Sequence, residues 1–275
     1  MSDVRDLIAL LRGSRWVALT GAGISTDSGI PDYRGPSAPP ATPMQYADFL
    51  GSPANRQRYW ARSMLGWRSF GAARPNQGHL ALAALAGRGL TGVITQNVDG
   101  LHHAAGSPSV IDLHGRISRV ICLDCGDSSD RAVLQERLDA ANPKVDGFVA
   151  AGRAEMDSGI RPDGDAVVER WDHITVVGCE VCGGVLKPDV VFFGESVPKA
   201  RVEQAYSVVD DADVLLVAGS SLTVMSGLRF ARHHVRAGKP LAIVNRGATR
   251  ADELATVRLS DGTSEVLSAL VKEMP

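Results

Sequence analysis

The four cysteines of this 275-residue chain form two Cys-x-x-Cys pairs, which constrain the fold more than any other feature of the sequence. The pairs are Cys122 with Cys125 and Cys179 with Cys182, in the contexts CLDCG and CEVCGG. Two thiolates separated by two residues can face one ion, and two such knuckles complete a tetrahedral shell that leaves no position for a substrate. The sequence therefore predicts a structural zinc site that joins two distant segments.

The same cysteines could instead form disulfides or a redox-active pair. Disulfides are typical of secreted proteins, but the N-terminal MSDVRDLIALLRGSR has the acidic residues and apolar spacing of an amphipathic helix, not the pattern of a signal or transit peptide. Neither pair opens a helix directly after a buried strand, as a thioredoxin-like pair does. We therefore favour zinc and expect a cytoplasmic protein.

The composition is that of an ordinary globular chain. Hydrophobic residues make up 44% and charged residues 22%, enough for a large core and a smaller module. A formal net charge of −2 gives no electrostatic reason to expect binding to nucleic acid or to an anionic membrane. No apolar run approaches the length of a membrane span. We predict neither kind of partner, and the sequence leaves the oligomeric state open.

Short runs rich in β-forming residues alternate with segments of helical periodicity. This order predicts an α/β fold, with a Rossmann-like parallel sheet covered by helices on both faces. The predicted strands are 16–19, 92–95, 110–113, 214–218, 241–244 and 256–259. The predicted helices are 3–12, 53–70, 77–86, 199–209, 222–237 and 263–272. Ligands of such sheets bind at the carboxyl ends of the strands.

Two stretches interrupt the alternation and suggest a division into domains. Residues 117–195 carry the knuckles and a long insertion between them, and we predict a smaller zinc-binding domain there. Residues 34–74 begin with the Pro/Ala-rich GPSAPPATP and continue into a helical insertion, which we predict to be a cofactor loop and helical module. The remaining residues, 1–33, 75–116 and 196–275, form the predicted Rossmann-like domain.

The first predicted strand runs into the glycine-rich loop GAGISTDSGIPDYRG at residues 21–35. Gly21 and Gly23 can let the backbone turn tightly and approach a pyrophosphate at a helix N-terminus. The loop departs from Gly-x-Gly-x-x-Gly because Thr26 occupies the sixth position, and no clear acidic residue ends a second strand about twenty residues later. Alone, it predicts a simple turn before a helix as readily as a dinucleotide site.

The rest of the chain carries further motifs in a fixed order. They are TQNVDGLH at 95–102, LHG at 113–115, both Cys-x-x-Cys pairs, KPDVVFFGE at 187–195, GSSL at 219–222 and VNRG at 244–247. With the glycine-rich loop, they resemble the sirtuin family over nearly the whole chain. The knuckle contexts and RYWAR at 58–62 are most similar to the class II, mitochondrial lipoamidase-type subgroup. The resemblance implies an NAD-dependent protein lysine deacylase that consumes NAD as a co-substrate and carries structural Zn²⁺.

The resemblance also implies roles for individual residues. In sirtuins a general base activates a ribose hydroxyl, and the products are free lysine, nicotinamide and O-acyl-ADP-ribose. His114 matches that base, for which an imidazole near its ordinary pKa is suited, and Asn97 and Asp99 complete the catalytic set. Asp99 could alternatively cap a helix. The residues that match NAD contacts are Gly21, Ala22, Gly23, Ser25, Asp27, Asp32, Tyr33, Arg34, Gln96, Asn97, Asp99, Gly219, Ser220, Ser221, Asn245, Gly247 and Thr263.

Two other segments match contacts with the acyl-lysine protein or peptide. The first comprises Val190, Val191, Phe192, Phe193 and Gly194. Within it, residues 190–193 are predicted to form an exposed strand bounded by Pro188 and Gly194; the strand could add a peptide strand by β-augmentation, or it could be an ordinary core strand. Tyr59 and Arg62 lie one helical turn apart and are similar to the pair that holds acidic acyl groups in desuccinylase-type sirtuins. They could equally form a solvated helix face.

Three functions remain open at this stage. The first is lysine deacylation, nominally deacetylation, with a possible preference for succinyl, methylglutaryl or lipoyl groups. The second keeps the NAD site but transfers ADP-ribose to a protein. The third is a non-catalytic NAD-sensing module, which the intact set of His114, Asn97 and Asp99 disfavours. The histidines at 79, 173, 233 and 234 are expected to have surface or capping roles.

Overall fold

The computed structural model of the protein describes residues 3–33, 43–143, 171 and 173–274. The chain divides into two compact units. The first unit consists of Met1–Gly35, Arg74–His114 and Val197–Pro275, and the second of Pro36–Ala73 and Gly115–Ser196.

The secondary structure follows the chain in this order. The strands are β1 Trp16–Thr20, β2 Leu90–Thr95, β3 Val110–Asp112, β4 Gly115–Cys122, β5 Ser128–Asp130, β6 Leu186–Val190, β7 Val214–Ala218, β8 Leu241–Val244 and β9 Val257–Leu259. The α-helices are α1 Val4–Leu11, α2 Tyr46–Gly51, α3 Pro53–Phe70, α4 Gln77–Leu85, α5 Leu101–Ala104, α6 Arg131–Ala141, α7 Lys199–Asp211, α8 Met225–Arg236 and α9 Thr263–Glu273.

The first unit is built on a parallel sheet with the strand order β3-β2-β1-β7-β8-β9. Every residue of β1, β7 and β8 is buried, as expected for strands covered on both faces. Leucines of α1, α4 and α9 pack on one face, and apolar side chains of α7 and α8 pack on the other. The strand order reverses between β1 and β7, which is the arrangement of a dinucleotide-binding fold. The predicted Rossmann-like fold is confirmed.

Local signals in the sequence explain where the helices of this unit begin. Asp3 caps α1 by accepting hydrogen bonds from the amides of Arg5 and Asp6, and Asn76 caps α4 in the same way. The apolar spacing of α1 then buries Leu7 and Leu11 against the sheet. Capping and periodicity therefore agree along these helices.

The second unit contains a three-stranded antiparallel sheet with the order β5-β4-β6. Its core combines side chains of α2 and α3 with side chains of α6, β4 and β6. Trp60 is fully buried there and donates a hydrogen bond from Nε1 to the carbonyl of Leu186 at 3.3 Å. The helical segment and the zinc-knuckle segment therefore share one core.

The predicted exposed strand at residues 190–193 is wrong. The strand is β6, which ends at Val190, and Val190 itself is buried. Pro188 lies inside β6 rather than at its boundary, paired with Val120. Proline is tolerated there because β6 is an edge strand. The outer edge of such a strand has no neighbouring strand, so a missing backbone N–H on that side breaks no hydrogen bond.

Within the described ranges, no helix has the combination of length and apolar character that a bilayer crossing requires.

Candidate active site and zinc centre

The candidate active site of the first unit lies where its parallel strands end. The loop after β1 forms two 3₁₀ turns, Ala22–Ile24 and Thr26–Ser28. The predicted α-helix N-terminus at this loop is therefore wrong. Within these turns, the amides of Ile24, Ser25 and Ser28 donate to the carbonyls of Gly21, Ala22 and Ser25.

Glycines bring the loops after β1 and β7 into backbone contact at the point where the strand order reverses. The amide of Gly23 donates to the carbonyl of Gly219 at 2.8 Å. A Cβ atom on Gly21 would lie 2.7 Å from that of Ser220, and one on Gly23 would lie 2.9 Å from the carbonyl oxygen of Gly219. Gly219 has a φ of +67°, which favours glycine. The glycines thus let the two loops meet closely at the point where a dinucleotide binds in such sheets.

We expect Gly23→Ala to destabilise the first unit by about 1 to 3 kcal/mol, the usual cost of adding a methyl group where none fits. Gly51→Ala is the matched control, because a Cβ atom added at Gly51 would lie 3.9 Å from the nearest heavy atom. Urea unfolding of both variants measures the difference. Equal stability of Gly23→Ala and the wild type would show that the two loops separate without cost.

Polar side chains join the loop after β2 to the loop after β1. Ser25 Oγ donates to Asp99 Oδ2 at 2.7 Å and lies 3.0 Å from Asn97 Nδ2, which donates to it. Asn97 Nδ2 also lies 3.0 Å from the carbonyl oxygen of Gly21. Asp99 Oδ1 accepts from the amide of Leu101, the first residue of α5, at 2.8 Å, although the N-cap residue of that helix is Gly100. The structure brings these predicted site residues into one network.

Gln96 links this network to the loop after β7 and to His114. Its side-chain oxygen accepts from Ser220 Oγ at 2.9 Å. Its backbone carbonyl accepts from His114 Nδ1 at 2.7 Å. A Cβ atom on Gly227 would lie 2.5 Å from the side-chain oxygen of Gln96, so α8 approaches closely here. Gln96 therefore holds three loops in place.

His114 is half-buried and has both ring nitrogens in hydrogen bonds. A carbonyl oxygen only accepts, so Nδ1 carries the proton and Nε2 of the neutral ring is the basic nitrogen. Burial lowers the pKa of His114 below 6.5; the carbonyl of Gln96 acts in the opposite direction, and the charge of Arg201 lowers it further. The expected ordinary pKa is therefore wrong, and the ring is neutral at pH 7, as a general base must be.

Two other histidines behind the site are fully buried. His79 caps the first turn of α4 through Nδ1, as expected, and its ring lies 4.8 Å from the ring of His102. His102 Nε2 lies 2.9 Å from Thr20 Oγ1. Burial, followed by the neighbouring His79 and His103, lowers the pKa of His102 to about 3. His234 is also buried, so its predicted surface position is wrong.

The free energy of unfolding should fall as the pH drops from 6.5 toward 3. The unfolded chain gains a proton on His102 near pH 6.5, whereas the folded chain resists it until about pH 3, and each pH unit in this window costs up to about 1.4 kcal/mol. Urea unfolding at pH 7.5 and 5 measures the loss. His102→Asn should reduce the loss, whereas His173→Gln, which alters an exposed histidine that does not act on His102, should not. An identical loss in wild type and His102→Asn would contradict this assignment.

The start of α9 is fastened to the loop after β1. Ser264 Oγ donates to Asp27 Oδ2 at 2.6 Å, and Thr263 Oγ1 lies 3.5 Å from the carbonyl oxygen of Gly23. The predicted cofactor residues Asp27 and Thr263 therefore take part in the hydrogen bonds that join the loop after β1 to α9.

The remaining predicted cofactor residues of the first unit lie at the ends of β7 and β8. Ser221 Oγ lies 3.0 Å from Thr223 Oγ1. Leu222 between them has a φ of +52°, an uncommon conformation for a non-glycine residue that is frequent at functional loops. Asn245 Nδ2 donates to the carbonyl of Gly247 at 2.7 Å. These contacts shape the loops whose NAD roles are predicted.

The end of the glycine-rich loop is described only in part. Ala22 opens the first 3₁₀ turn, and Asp32 and Tyr33 are half-buried. Arg34, which was predicted to contact NAD, lies outside the described residues.

Tyr59 and Arg62 lie on α3 in the second unit. Tyr59 is 4% exposed, and its ring packs edge-on against Phe49, 5.4 Å between centroids, and lies 5.3 Å from Phe192. The alternative of a solvated helix face is therefore wrong for Tyr59. Arg62 is half-buried. Their contact with an acyl group stays a prediction.

Residues 191–194 follow β6 as a fixed loop. Glu195 accepts from the amide of Phe192 at 2.8 Å and pairs with the buried ammonium of Lys187 at 3.1 Å. The carbonyl of Phe193 accepts from the amide of Tyr46 at 2.9 Å, and the Phe193 side chain is 36% exposed. An isolated bridge at Phe193 therefore replaces the continuous strand that was predicted for peptide binding.

The four cysteines of the second unit converge as predicted. Their sulfur atoms all lie within 4.8 Å of one another, with 3.6 Å between those of Cys122 and Cys182 and 3.8 Å between those of Cys125 and Cys179. A tetrahedral zinc with Zn–S distances of about 2.3 Å needs sulfur atoms roughly 3.8 Å apart. A disulfide needs about 2.05 Å. The residues therefore fit a structural zinc site and not disulfides.

The two knuckles have the same backbone geometry. In each, the amide of the first cysteine bonds to the carbonyl five residues later, and the amide four residues later bonds back to the cysteine carbonyl. The residue in that fourth position is Gly126 in one knuckle and Gly183 in the other, both with positive φ. Asp124 Oδ2 accepts from the amide of Val185 at 2.7 Å and ties the knuckles together.

Comparison with known proteins gives a consistent result. The model of the Sir2 family matches residues 21–226. NAD-dependent protein deacetylase 1 of Mycobacterium avium (strain 104) is 57% identical over 270 residues, which cover 98% of this chain and 95% of that protein. The protein of the same name from Streptomyces coelicolor is 56% identical over 264 residues, covering 94% and 86%.

Solved structures agree with these relatives. A Sir2 structure with a p53 peptide and NAD⁺ superposes with a TM-score of 0.74 at 31% identity and covers 98% of both chains. Sir2Tm bound to a propionylated peptide gives a TM-score of 0.76 at 30% identity, with the same coverage. The likeness therefore extends over both units of the chain.

Proposed function

This chain belongs to the Sir2 family, and we propose from this that it is an NAD-dependent protein deacetylase. One observation carries the proposal for this chain: Nε2 of His114 is an unprotonated base, because Nδ1 is fixed to the carbonyl of Gln96 and burial lowers the pKa of the ring. The identity of relatives named as deacetylases, over nearly the full chain, supports the same activity.

The residues of the first unit have distinct tasks in this reaction. NAD would supply the reactive ribose carbon and the hydroxyl that receives the acyl group. His114 Nε2 accepts the proton of that hydroxyl, since it is the basic nitrogen of a neutral ring. Asn97, Asp99 and Ser25 hold the neighbouring loops at fixed distances, so that a bound ribose meets pre-positioned polar groups. Gly21, Gly23 and Gly219 allow the loops after β1 and β7 to meet where the pyrophosphate would bind.

Mass spectrometry of an acetyl-lysine peptide incubated with and without NAD tests the proposal. We expect loss of the acetyl group only with NAD. The rival ADP-ribosyltransferase would instead give a peptide or protein heavier by one ADP-ribose. An NAD-sensing module would give neither change.

We further propose that the chain removes larger or acidic acyl groups. The Tyr59 and Arg62 pair, the RYWAR segment and the similarity to the lipoamidase-type subgroup support it. Arginine can bind a carboxylate through two parallel hydrogen bonds. The deep burial of Tyr59 fixes its ring on α3, so the pair would be rigid.

Arg62→Met should lower kcat/KM for a succinyl-lysine peptide by about 10-fold to 100-fold, the scale of one charged hydrogen-bonded contact. The acetyl-lysine peptide should lose little, because it has no carboxylate. Arg56→Met is the matched control, since Arg56 lies on the same helix and bonds instead to backbone carbonyls of α2. Equal losses on both peptides would make Arg62 a structural residue.

A further inference from the structure

Ser226 makes a contact with the base that no sequence motif suggested. Its Oγ lies 2.8 Å from His114 Nε2. Because Nδ1 carries the ring proton and donates it to the carbonyl of Gln96 at 2.7 Å, Nε2 is the acceptor and the serine hydroxyl is the donor. A hydroxyl, a neutral imidazole and an oxygen that orients the imidazole are thus aligned in one chain of hydrogen bonds.

This alignment is the arrangement of an activated serine nucleophile. In such sites the nucleophile bonds to a base, and a third group fixes the base. Here the backbone carbonyl of Gln96 takes the place of the carboxylate. Ser226 and His114 are both half-buried rather than enclosed, so the pair can be reached.

The position of Ser226 on α8 favours the same chemistry. The amides of Gly227 and Leu228 both bond to the carbonyl of Val224 at 3.3 Å. The amides of Met225 and Ser226 lie one and two residues before that of Gly227, in the first turn, where N–H groups have no acceptor within the helix. They can stabilise negative charge that develops beside the serine.

We infer that Ser226 and His114 form a nucleophile–base pair that hydrolyses acyl esters without NAD. Ser226 Oγ attacks the ester carbonyl while its proton passes to His114 Nε2, which then gives that proton to the departing alcohol. Water, deprotonated by the same nitrogen, attacks the acyl-serine, and the proton returns to Ser226. The net reaction is ester plus water to carboxylic acid plus alcohol.

The chemistry of the site points to acyl esters of a sugar hydroxyl as the substrate class. The proposed deacetylation forms such an ester next to His114, and this choice of substrate rests on that proposed function. The assignment of Ser226 as a nucleophile does not rest on that function, because the hydrogen-bonded pair needs neither NAD nor a lysine peptide.

The test uses the full-length zinc-loaded protein without NAD and an alkyl fluorophosphonate, which captures activated serines with loss of fluoride. Peptide mapping should find the label on Ser226, and His114→Ala should slow the labelling by roughly 100-fold, the scale of one positioned proton acceptor. Hydrolysis of p-nitrophenyl acetate should fall by a similar factor in Ser226→Ala. Ser207→Ala, which changes an exposed serine of α7, is the matched control.

Several results would overturn the inference. They are the absence of label on wild-type Ser226, labelling that His114→Ala leaves unchanged, and ester hydrolysis that persists in a folded Ser226→Ala variant. The last result would mean that Ser226 only orients the ring. Peptide mapping of the label on the wild-type protein tests the inference even if a variant fails to fold. An NAD-dependent assay on the same wild-type sample reports separately on deacetylation.

Discussion

His114→Ala should lower kcat/KM for NAD-dependent deacetylation by about 100-fold to 10,000-fold, the contribution of a positioned general base. The alanine removes the nitrogen that accepts the hydroxyl proton, and water has no fixed position from which to replace it. Steady-state assays with an acetyl-lysine peptide measure the loss. NAD binding, followed by calorimetry, should survive, because the glycine loops do not depend on the ring.

The pH dependence provides a second check on the same residue. Because burial lowers the pKa of His114, protonation should reduce kcat/KM of the wild type only below pH 6.5. His103→Ala is the matched control: His103 is a surface histidine of the same unit, paired with Asp112. It should retain activity. A loss in His103→Ala equal to that in His114→Ala would assign both effects to folding.

Removal of zinc should unfold the second unit. Apparent binding free energies of structural zinc are on the order of 10 kcal/mol and belong to folding, since the ligands converge only in the folded state. The shared core of this unit includes Cys122 and Cys179, so loss of the ion also disturbs apolar packing. Hydrogen exchange after chelation, followed segment by segment, should show loss of protection in β4 and β6.

Two further measurements sharpen the zinc prediction. Metal analysis should give one zinc per chain, and Cys182→Ala should reproduce the effect of chelation without any chelator. Ser129→Ala, at a half-buried position of β5 that holds no metal ligand, is the control. Full protection of β4 and β6 in a metal-free sample would contradict a structural role for the ion.

The sequence predicts the first unit well because its signals are local. The predicted helix 77–86 matches α4 except for one residue at its end, and strands 214–218 and 241–244 match β7 and β8. Their boundaries depend on apolar periodicity and on neighbouring turn residues, which act over a few positions. Buried parallel strands also read as short continuous apolar runs.

The second unit was predicted less completely because its elements depend on distant partners. The short strands β4, β5 and β6 are held by pairing across the knuckles and have no long periodic run of their own. Pro188 reads locally as a strand boundary, yet the edge position of β6 accepts it. The helices α2 and α6 likewise acquire their buried faces from this shared core.

In the candidate site, too, the residues within sequence motifs were predicted and those that depend on distant partners were not. Motifs identified His114, Gln96 and Asn97, and the structure brings them together. Ser226 was missed because its partner lies 112 residues away and a single serine near the start of a helix carries no signal. The burial of His102 was missed for a similar reason, since Thr20 and His79, which it contacts, are distant in the sequence.

The most direct test of deacetylation counts all products of one reaction. Wild-type protein is incubated with an acetyl-lysine peptide and NAD, and mass spectrometry quantifies nicotinamide, deacetylated peptide and the acetylated ADP-ribose. We predict equal amounts of nicotinamide and deacetylated peptide, with acetylated ADP-ribose and any ADP-ribose formed by its later hydrolysis making up the same amount. Nicotinamide release with the acetyl group still on the peptide would contradict the proposed function.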